Sequence, residues 1–564
     1  MKRARDWSPA QASLMPPSPR DWLKEDHLVY FLLDLVPSLD LGEIDQVIQA
    51  KDGRGTRPYS ARMMVLLMLY GYCIGKVSSR KLEKATYEEV PFRVLCAGHH
   101  PDHCAISNFR KTHLKALGGL FHQILRLCQE AGLVKLGHVA LDGTKLKASA
   151  SKHKANSYSG LERNEERLVA EIEELLKQAA SVDAEEDARF GEDRTGEELP
   201  DGLRSKSERL QRIQKAKAAL EADAALTKAL ERKSQAERSA AKAKEQGDQD
   251  AAAAARAEKA AAIAGEAANE AIEQAQRIAE DAAALAEKLN SEADDAKSRR
   301  SATLAGNVAL KAEKTLEATI AALCDDESDD ESDDDDQGGA ATTAAGQVDR
   351  RSANDADALP ERRVKADADG YPVADAQRNF TDPDSHLMKD GNGYSQAFNC
   401  QAAVDEAHQV IVAACLTNQA SDSQHLVPML NAVIENCGAP PITFTADAGY
   451  SSEVNLKHCE DVGTDAYIPC SRKTPAPKAE GDAKPSQAKP KSPIMQAMAE
   501  KIATEEGRAK YARRKFVGEA PFGNIKAARG FRQMLLRGIE QTRHEWNLIC
   551  AGHNLLKLYK ARTA

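Results

Sequence analysis

The stretch His138-Val139-Ala140-Leu141-Asp142-Gly143-Thr144-Lys145-Leu146-Lys147 decides how this chain is read. Its apolar run ends in a carboxylate, and glycine and lysines follow, so it predicts a short strand that delivers an acid to its tip. A second stretch has the same form: Ile442-Thr443-Phe444-Thr445-Ala446-Asp447, followed by Ala448-Gly449-Tyr450. Between them, Asp390-Gly391-Asn392-Gly393 signals a turn. Strands are expected over Tyr394 to Val404 and His408 to Thr417, the latter around the β-branched Val410-Ile411-Val412, and then a helix over Asp422 to Asn436. After Asp447 come an expected helix, Ser452 to Val462, and a strand, Ala466 to Cys470. Strands alternating with helices make this part of the chain an α/β fold.

Outward from that core, residues 1–20 are rich in Pro, Ser and Arg and read as a flexible leader. Over 21–136 the pattern is helical. Ile106, Phe109, Leu114, Leu117, Phe121, Ile124, Leu125 and Cys128 recur at three- and four-residue steps, which predicts an N-terminal all-helical domain. The core is expected over 137–155 and 376–470. It is interrupted by a Glu-, Lys- and Ala-rich segment, 156–324, that reads as a helical hairpin or antiparallel coil. Residues 325–375 begin with an acidic run too poor in apolar side chains to offset the entropy of ordering, and they read as a disordered linker. A Pro/Lys/Ala linker over 471–493 and a helical, basic segment over 494–564 complete the chain.

Composition narrows the partners. The chain has 564 residues and a formal charge of -10, but the run Asp325 to Asp336 carries ten carboxylates, and without it the rest is neutral. From Lys501 to Ala564 there are 14 Lys and Arg against 5 Asp and Glu, a balance suited to a polyanion. The 11 cysteines are scattered without paired spacing, and the start Met1-Lys2-Arg3-Ala4-Arg5-Asp6 lacks a secretory apolar stretch. A reducing, cytoplasmic setting is expected. The apolar stretch Met63 to Cys73 is far shorter than the ~20 residues a membrane span requires, so no membrane is implied.

The chemistry rests on Asp142, Asp447 and a later Glu519 in the basic segment. Carboxylates at the tips of two neighbouring strands, joined by one from a helix packed against that edge, can present oxygens to two divalent ions about 3.5–4 Å apart. Such a pair runs phosphodiester cleavage, and the nearby cations keep the acids from repelling a DNA backbone.

These residues resemble the DDE transposases of bacterial insertion sequences, closest to insertion-sequence family eleven eighty-two. The likeness is carried by Ser78-Ser79-Arg80, Pro101-Asp102-His103 with Phe109-Arg110, Leu141 to Ala148 with Ser151-Lys152, and Asn379 to Ser385. It continues through Asn399-Cys400-Gln401-Ala402-Ala403-Val404-Asp405, Ala446 to Tyr450, Tyr511 to Glu519, Phe522 to Lys526, Gly530-Phe531 and Leu536-Arg537-Gly538. The resemblance implies a ribonuclease-H-like mixed sheet with flanking helices, interrupted by a long helical insertion after the first catalytic strand. It implies Asp142, Asp447 and Glu519 as catalytic and metal-binding residues, with Mg2+, or Mn2+, as cofactor. It further implies cleavage of the transposon's terminal inverted repeats, strand transfer into target DNA, and a homodimer in the synaptic complex. Related transposases carry an Arg four residues before the Glu and a Lys seven after it. Here Lys526 stands seven after Glu519, and Arg514 stands five before.

Each reading has a plainer rival. An Asp that ends a strand before Gly is often only a turn residue. Lys145, Lys147, Lys152, Tyr511, Arg514 and Lys526 are the expected DNA contacts, and a solvated edge is the alternative for the lysines. Arg513, Arg529, Arg532 and Arg537 are further phosphate candidates. Cys96, His99, His100, His103 and Cys104 have zinc-like spacing, but a single such cluster reads as a polar loop. Pro521 suggests that Glu519 lies at the N-terminal edge of its helix. A structure-specific nuclease of the same fold, or a DNA-binding scaffold with a decayed site, is the alternative to a transposase.

Overall fold

The computed structural model describes residues 18–50, 58–172, 174, 203–245, 359–390, 393–470 and 492–563. The acidic run, most of the Ala-rich segment and nearly all of the 471–493 linker lie outside them. The chain forms two compact units. One comprises residues 1–152, 356–362 and 381–564, and the other 153–355 and 363–380.

In the first unit a mixed sheet is built from β1 (His138–Lys147), β4 (His386–Asp390), β5 (Gly393–Asp405), β6 (Ile411–Thr417), β7 (Thr443–Thr445) and β8 (Asp465–Tyr467). Strand β5 pairs antiparallel with β1, β4 and β6, while β7 pairs parallel with β1 and β8 pairs parallel with β7. The order is therefore β6-β5-β1-β7-β8, with β4 on the early part of β5. Val139, Ala140 and Leu141 of β1 and Phe398, Cys400, Ala402, Ala403 and Val404 of β5 are wholly buried, so both strands are covered on two faces.

The helices expected before residue 136 are present as Leu28–Leu35, Gly42–Gln49, Ala61–Ile74, Ser79–Glu88, Val90–Leu95, His103–Thr112 and Leu114–Glu130. Their apolar faces share one hydrophobic core with the sheet. The joint is the terminal helix Ile539–Thr563. It packs against β6 and against the helices Leu114–Glu130 and Ala61–Ile74, burying Trp546, Leu548, Ile549, Leu555 and Leu558. Trp546 is fully buried and its Nε1 donates to the Gln401 carbonyl at 3.1 Å, so it is a core residue. Among the described residues no single helix is long and apolar enough to cross a membrane, and every cysteine is a free thiol.

Several elements are shorter than their sequence patterns. The helix expected from Asp422 begins at Leu426, and the strand expected to reach Asp447 ends at Thr445. In both places a polar side chain is turned to hydrogen bonding that regular structure would forbid.

In the second unit, β2 (Ala155–Ser157) pairs antiparallel with β3 (Gln377–Asn379). A helix over 158–172 lies along the helix Leu203–Glu245. Leu161, Leu168, Leu210, Ile213 and Leu220 form their seam. Tyr158 bonds Glu221, Lys217 pairs with Glu165, and Lys206 pairs with Glu171. These steps run in opposite directions along the two helices, so the helices are antiparallel.

Candidate active site

The parallel pairing of β1 with β7 sets Ala140 opposite Thr445. Asp142 and Asp447 each stand two residues beyond that pair, so the strand register alone carries both carboxylates to the same edge of the sheet. Asp447 caps the turn Ala448–Tyr450, its Oδ1 accepting from the Gly449 N–H at 2.7 Å. The Oδ1 of Asp142 accepts from Gly143 N–H at 2.9 Å, and its Oδ2 accepts from Arg514 Nη1 at 3.2 Å.

Asp142 is largely buried, and burial is the main reason its carboxyl is pushed up to about 6. Arg514 and the Gly143 N–H pull it down, while the charges of Asp447 and Glu519 push it up. Asp447 and Glu519 therefore both lie within electrostatic reach of Asp142. Glu519 arrives from the opposite side, on the helical stretch 505–528, with its side chain 55% exposed. Close approach is possible because the preceding residue is glycine: a Cβ on Gly518 would sit 3.3 Å from the Cβ of Asp142.

The departure in the Arg-to-Glu spacing has a structural resolution. Residues Lys515–Glu519 form a π turn between the α-helices Glu505–Arg514 and Ala520–Gly523. A π turn closes every five residues instead of four, so it absorbs one extra residue without rotating the later face of the helix. Arg514 and Glu519 are five apart and still meet, Nη2 to Oε1, at 3.8 Å. Pro521 is accommodated by the same device. In a five-residue turn the carbonyl it leaves without a donor is that of Phe516, and this oxygen accepts from Gln409 Nε2 at 3.0 Å. The helical path thus runs through Glu519, which does not stand at a free N-terminal end.

The expected DNA contacts separate into groups. Arg514 lies between Asp142 and Glu519, with its guanidinium 5.8 Å from the centre of the Tyr511 ring. Lys145 Nζ reaches Oδ1 of Asp422 at 3.4 Å, and Lys526 Nζ donates to the Lys145 carbonyl at 2.9 Å. Lys147 and Lys152 are exposed farther along the same run of chain. Arg529 is not available to phosphate: it is buried and donates to the carbonyls of Tyr72 and Ile549. Arg532 and Arg537 donate to the carbonyls of Lys526 and Ser149. In the zinc-like cluster, His103 bonds Glu83 at 2.9 Å and His100 stacks on Tyr87 with ring centres 3.9 Å apart.

Three carboxylates offer hard oxygen donors, the chemistry that suits Mg2+ or Mn2+. Arg514 marks the same place, since a cationic group is held between Asp142 and Glu519. Among the described residues no three His, Cys, Asp or Glu side chains stand close enough to hold an ion together.

One set of residues was not assigned a role from sequence. Asp422 Oδ1 accepts from Asn399 Nδ2 at 2.7 Å and from Gln401 Nε2 at 2.9 Å. Asn399 and Gln401 are alternate residues of β5 and both are fully buried. Amide side chains at every second position of a buried strand were a legible signal, because buried polar groups demand partners.

Comparison with known families agrees with the geometry. A model described as a transposase DDE domain matches residues 450–559, a span that contains Glu519 and Lys526 and begins just after Asp447. A model described as a transposase domain (DUF772) matches residues 17–112, the helical segment ahead of the sheet. No curated protein and no solved structure matches the chain. With one such match on each side of the strand that carries Asp142, the family likeness supports a DDE transposase of the insertion-sequence type.

Proposed function

We propose that the protein cleaves DNA at the terminal inverted repeats of its own element and joins the freed ends to target DNA, using Asp142, Asp447 and Glu519 to hold Mg2+, or Mn2+. The observation that carries this reading is the in-register delivery of Asp142 and Asp447 by β1 and β7, with Arg514 linking Asp142 to Glu519 of the helix. The strand order β6-β5-β1-β7-β8, three antiparallel strands followed by two parallel ones, supports a ribonuclease-H-like core. The sequence likeness supports insertion-sequence family eleven eighty-two, and the proposal extends to a homodimer that holds two ends of double-stranded DNA in the bacterial cytoplasm.

When bound, divalent ions supply the Lewis acidity that phosphodiester cleavage and transesterification draw on. The chain's own groups do the rest. With its carboxyl raised only to about 6, Asp142 is mostly ionised at neutral pH and ready to coordinate. Arg514, backed by Tyr511 and paired with Asp142, would supply counter-charge to a scissile phosphate, and Lys145 and Lys526 would add to it. Lys147 and Lys152 extend the cationic track along the DNA.

Incubating the protein with a labelled transposon end, in Mg2+ or in EDTA, tests this directly. The expected result is nicking in Mg2+ only, and joining of a pre-cleaved end to a second DNA. Cleavage without joining would leave a nuclease of the same fold, and neither activity would overturn the reading.

A further inference from the structure

Strand β1 lies between β5 and β7, so the edge that carries Asp142 separates β5 from the turn that carries Asp447. One side chain spans that separation. Gln401 of β5 is paired with Gly143 of β1, and a Cβ on Gly143 would lie 2.4 Å from Gln401 Nε2, so the amide occupies the space that a side chain at 143 would fill. Its Oε1 accepts a hydrogen bond from the hydroxyl of Tyr450, in the turn capped by Asp447.

The orientation of this amide is fully specified. Its Nε2 donates to Asn399 Oδ1 at 3.0 Å and to Asp422 Oδ1 at 2.9 Å, which leaves Oε1 to face Tyr450. A flipped amide would set Oε1 against two acceptors. Asp422 is in turn held by Asn399 Nδ2 and Lys145 Nζ, with Nδ1 of the buried His425 at 3.9 Å. At Gly449 the two acids meet, since a Cβ there would be 2.8 Å from Oδ1 of Asp447 and 3.6 Å from Oδ2 of Asp422.

We propose that Gln401, aimed by Asp422 and Asn399, is a positioning residue that bridges over Gly143 to Tyr450 and so sets the spacing between Asp142 and Asp447. Asp422 serves as the fixed acceptor of this bridge. The inference rests on the reading of Asp142 and Asp447 as metal ligands and adds the part that holds them in register. Glycine at 143 belongs to the same design, because any larger residue there evicts the amide.

The test is Mn2+ affinity of the full chain without DNA, by calorimetry, on folded protein checked by thermal unfolding. Gln401→Leu is expected to weaken Mn2+ binding by about tenfold or more, the usual size for loss of a group that orients ligands, and Tyr450→Phe should move it in the same direction. Gln401→Glu sets an acid against Asp422 and should be worse. Adding Asp422→Asn restores a donor facing the new acceptor and should recover affinity to within about threefold of the unmodified protein. A merely structural role would not be rescued by that reversal. If Gln401→Leu or Gly143→Ala binds Mn2+ as tightly as the unmodified protein while Asp142→Asn has lost binding, the positioning role is overturned. If Asp142→Asn itself keeps full affinity, the underlying reading of the acids falls instead.

Discussion

Arg514 Nη1 stands 3.2 Å from Oδ2 of Asp142 although the two residues are 372 apart in the chain. The contact ties the helix that carries Glu519 to the strand that carries the first acid, and it holds a fixed positive charge where negative charge converges. Its consequences can be measured.

Removing the carboxylate of Asp142 should abolish metal-dependent cleavage and leave DNA binding nearly intact. A ligand that supports several kcal/mol of charge stabilisation in the transition state corresponds to a loss of about a thousandfold. Cleavage rates and filter binding of Asp142→Asn check this together, and undiminished cleavage would remove Asp142 from the chemistry.

Arg514→Gln should destabilise the metal-free protein, because it leaves the mostly buried Asp142 without its counter-charge. Breaking one side of such a pair costs about 3 kcal/mol. A divalent ion that binds only the folded protein should return part of that loss. Thermal unfolding in EDTA and in Mg2+ is expected to show a larger drop in EDTA, and an equal drop in both would detach Arg514 from the metal site.

Stability should also depend on pH through Asp142. Its folded-state pKa is raised from 3.8 to about 6, so the folded protein binds more protons than the unfolded chain between those values, and stability falls as pH rises through them. The difference curve against Asp142→Asn isolates this group. It should change by roughly 3 kcal/mol at most across that window and be flat outside it. A difference that rises with pH would contradict the burial of this carboxyl.

The π turn makes a prediction about insertion and deletion. Excising Phe516 should convert the turn to a regular α-helix and keep Arg514 and Glu519 on one face. Pro521 would then clash with the preceding turn, which costs about 3 kcal/mol. The deletion alone is therefore expected to unfold earlier than the same deletion combined with Pro521→Ala, and the combined variant should retain Mg2+-dependent cleavage. A combined variant that folds yet cannot cleave would mean that the extra residue has a role of its own.

Much of this was legible in the one-dimensional chain. Apolar runs that end in Asp142 and Asp447, with turn and helix signals in order between them, are local patterns set by side-chain periodicity, and they sufficed for an α/β core, but β1 continues past Asp142 to Lys147 and β7 stops at Thr445, so neither acid is the last residue of its strand. The helical spacing from Ile106 to Cys128 was legible for the same reason. The sequence also displayed Asn399 and Gln401, but their meaning depends on Asp422 and Tyr450 lying across a strand, a relation that no local pattern encodes.

Other features belong to tertiary structure alone. The five-residue step from Arg514 to Glu519 looked like a misfit because helical phase was counted at the α-helical period, and only the π turn brings the two side chains together. Arg529 counted as one of many cations in a basic tail until the folded chain buried it against the Tyr72 and Ile549 carbonyls. By itself the sequence determined which residue types were present and which strands and helices they favour, because these follow from each residue and its near neighbours. Only the folded chain decided which acids come near one another and which cations are spent on backbone carbonyls, because burial and distance across the sheet are properties of the whole chain.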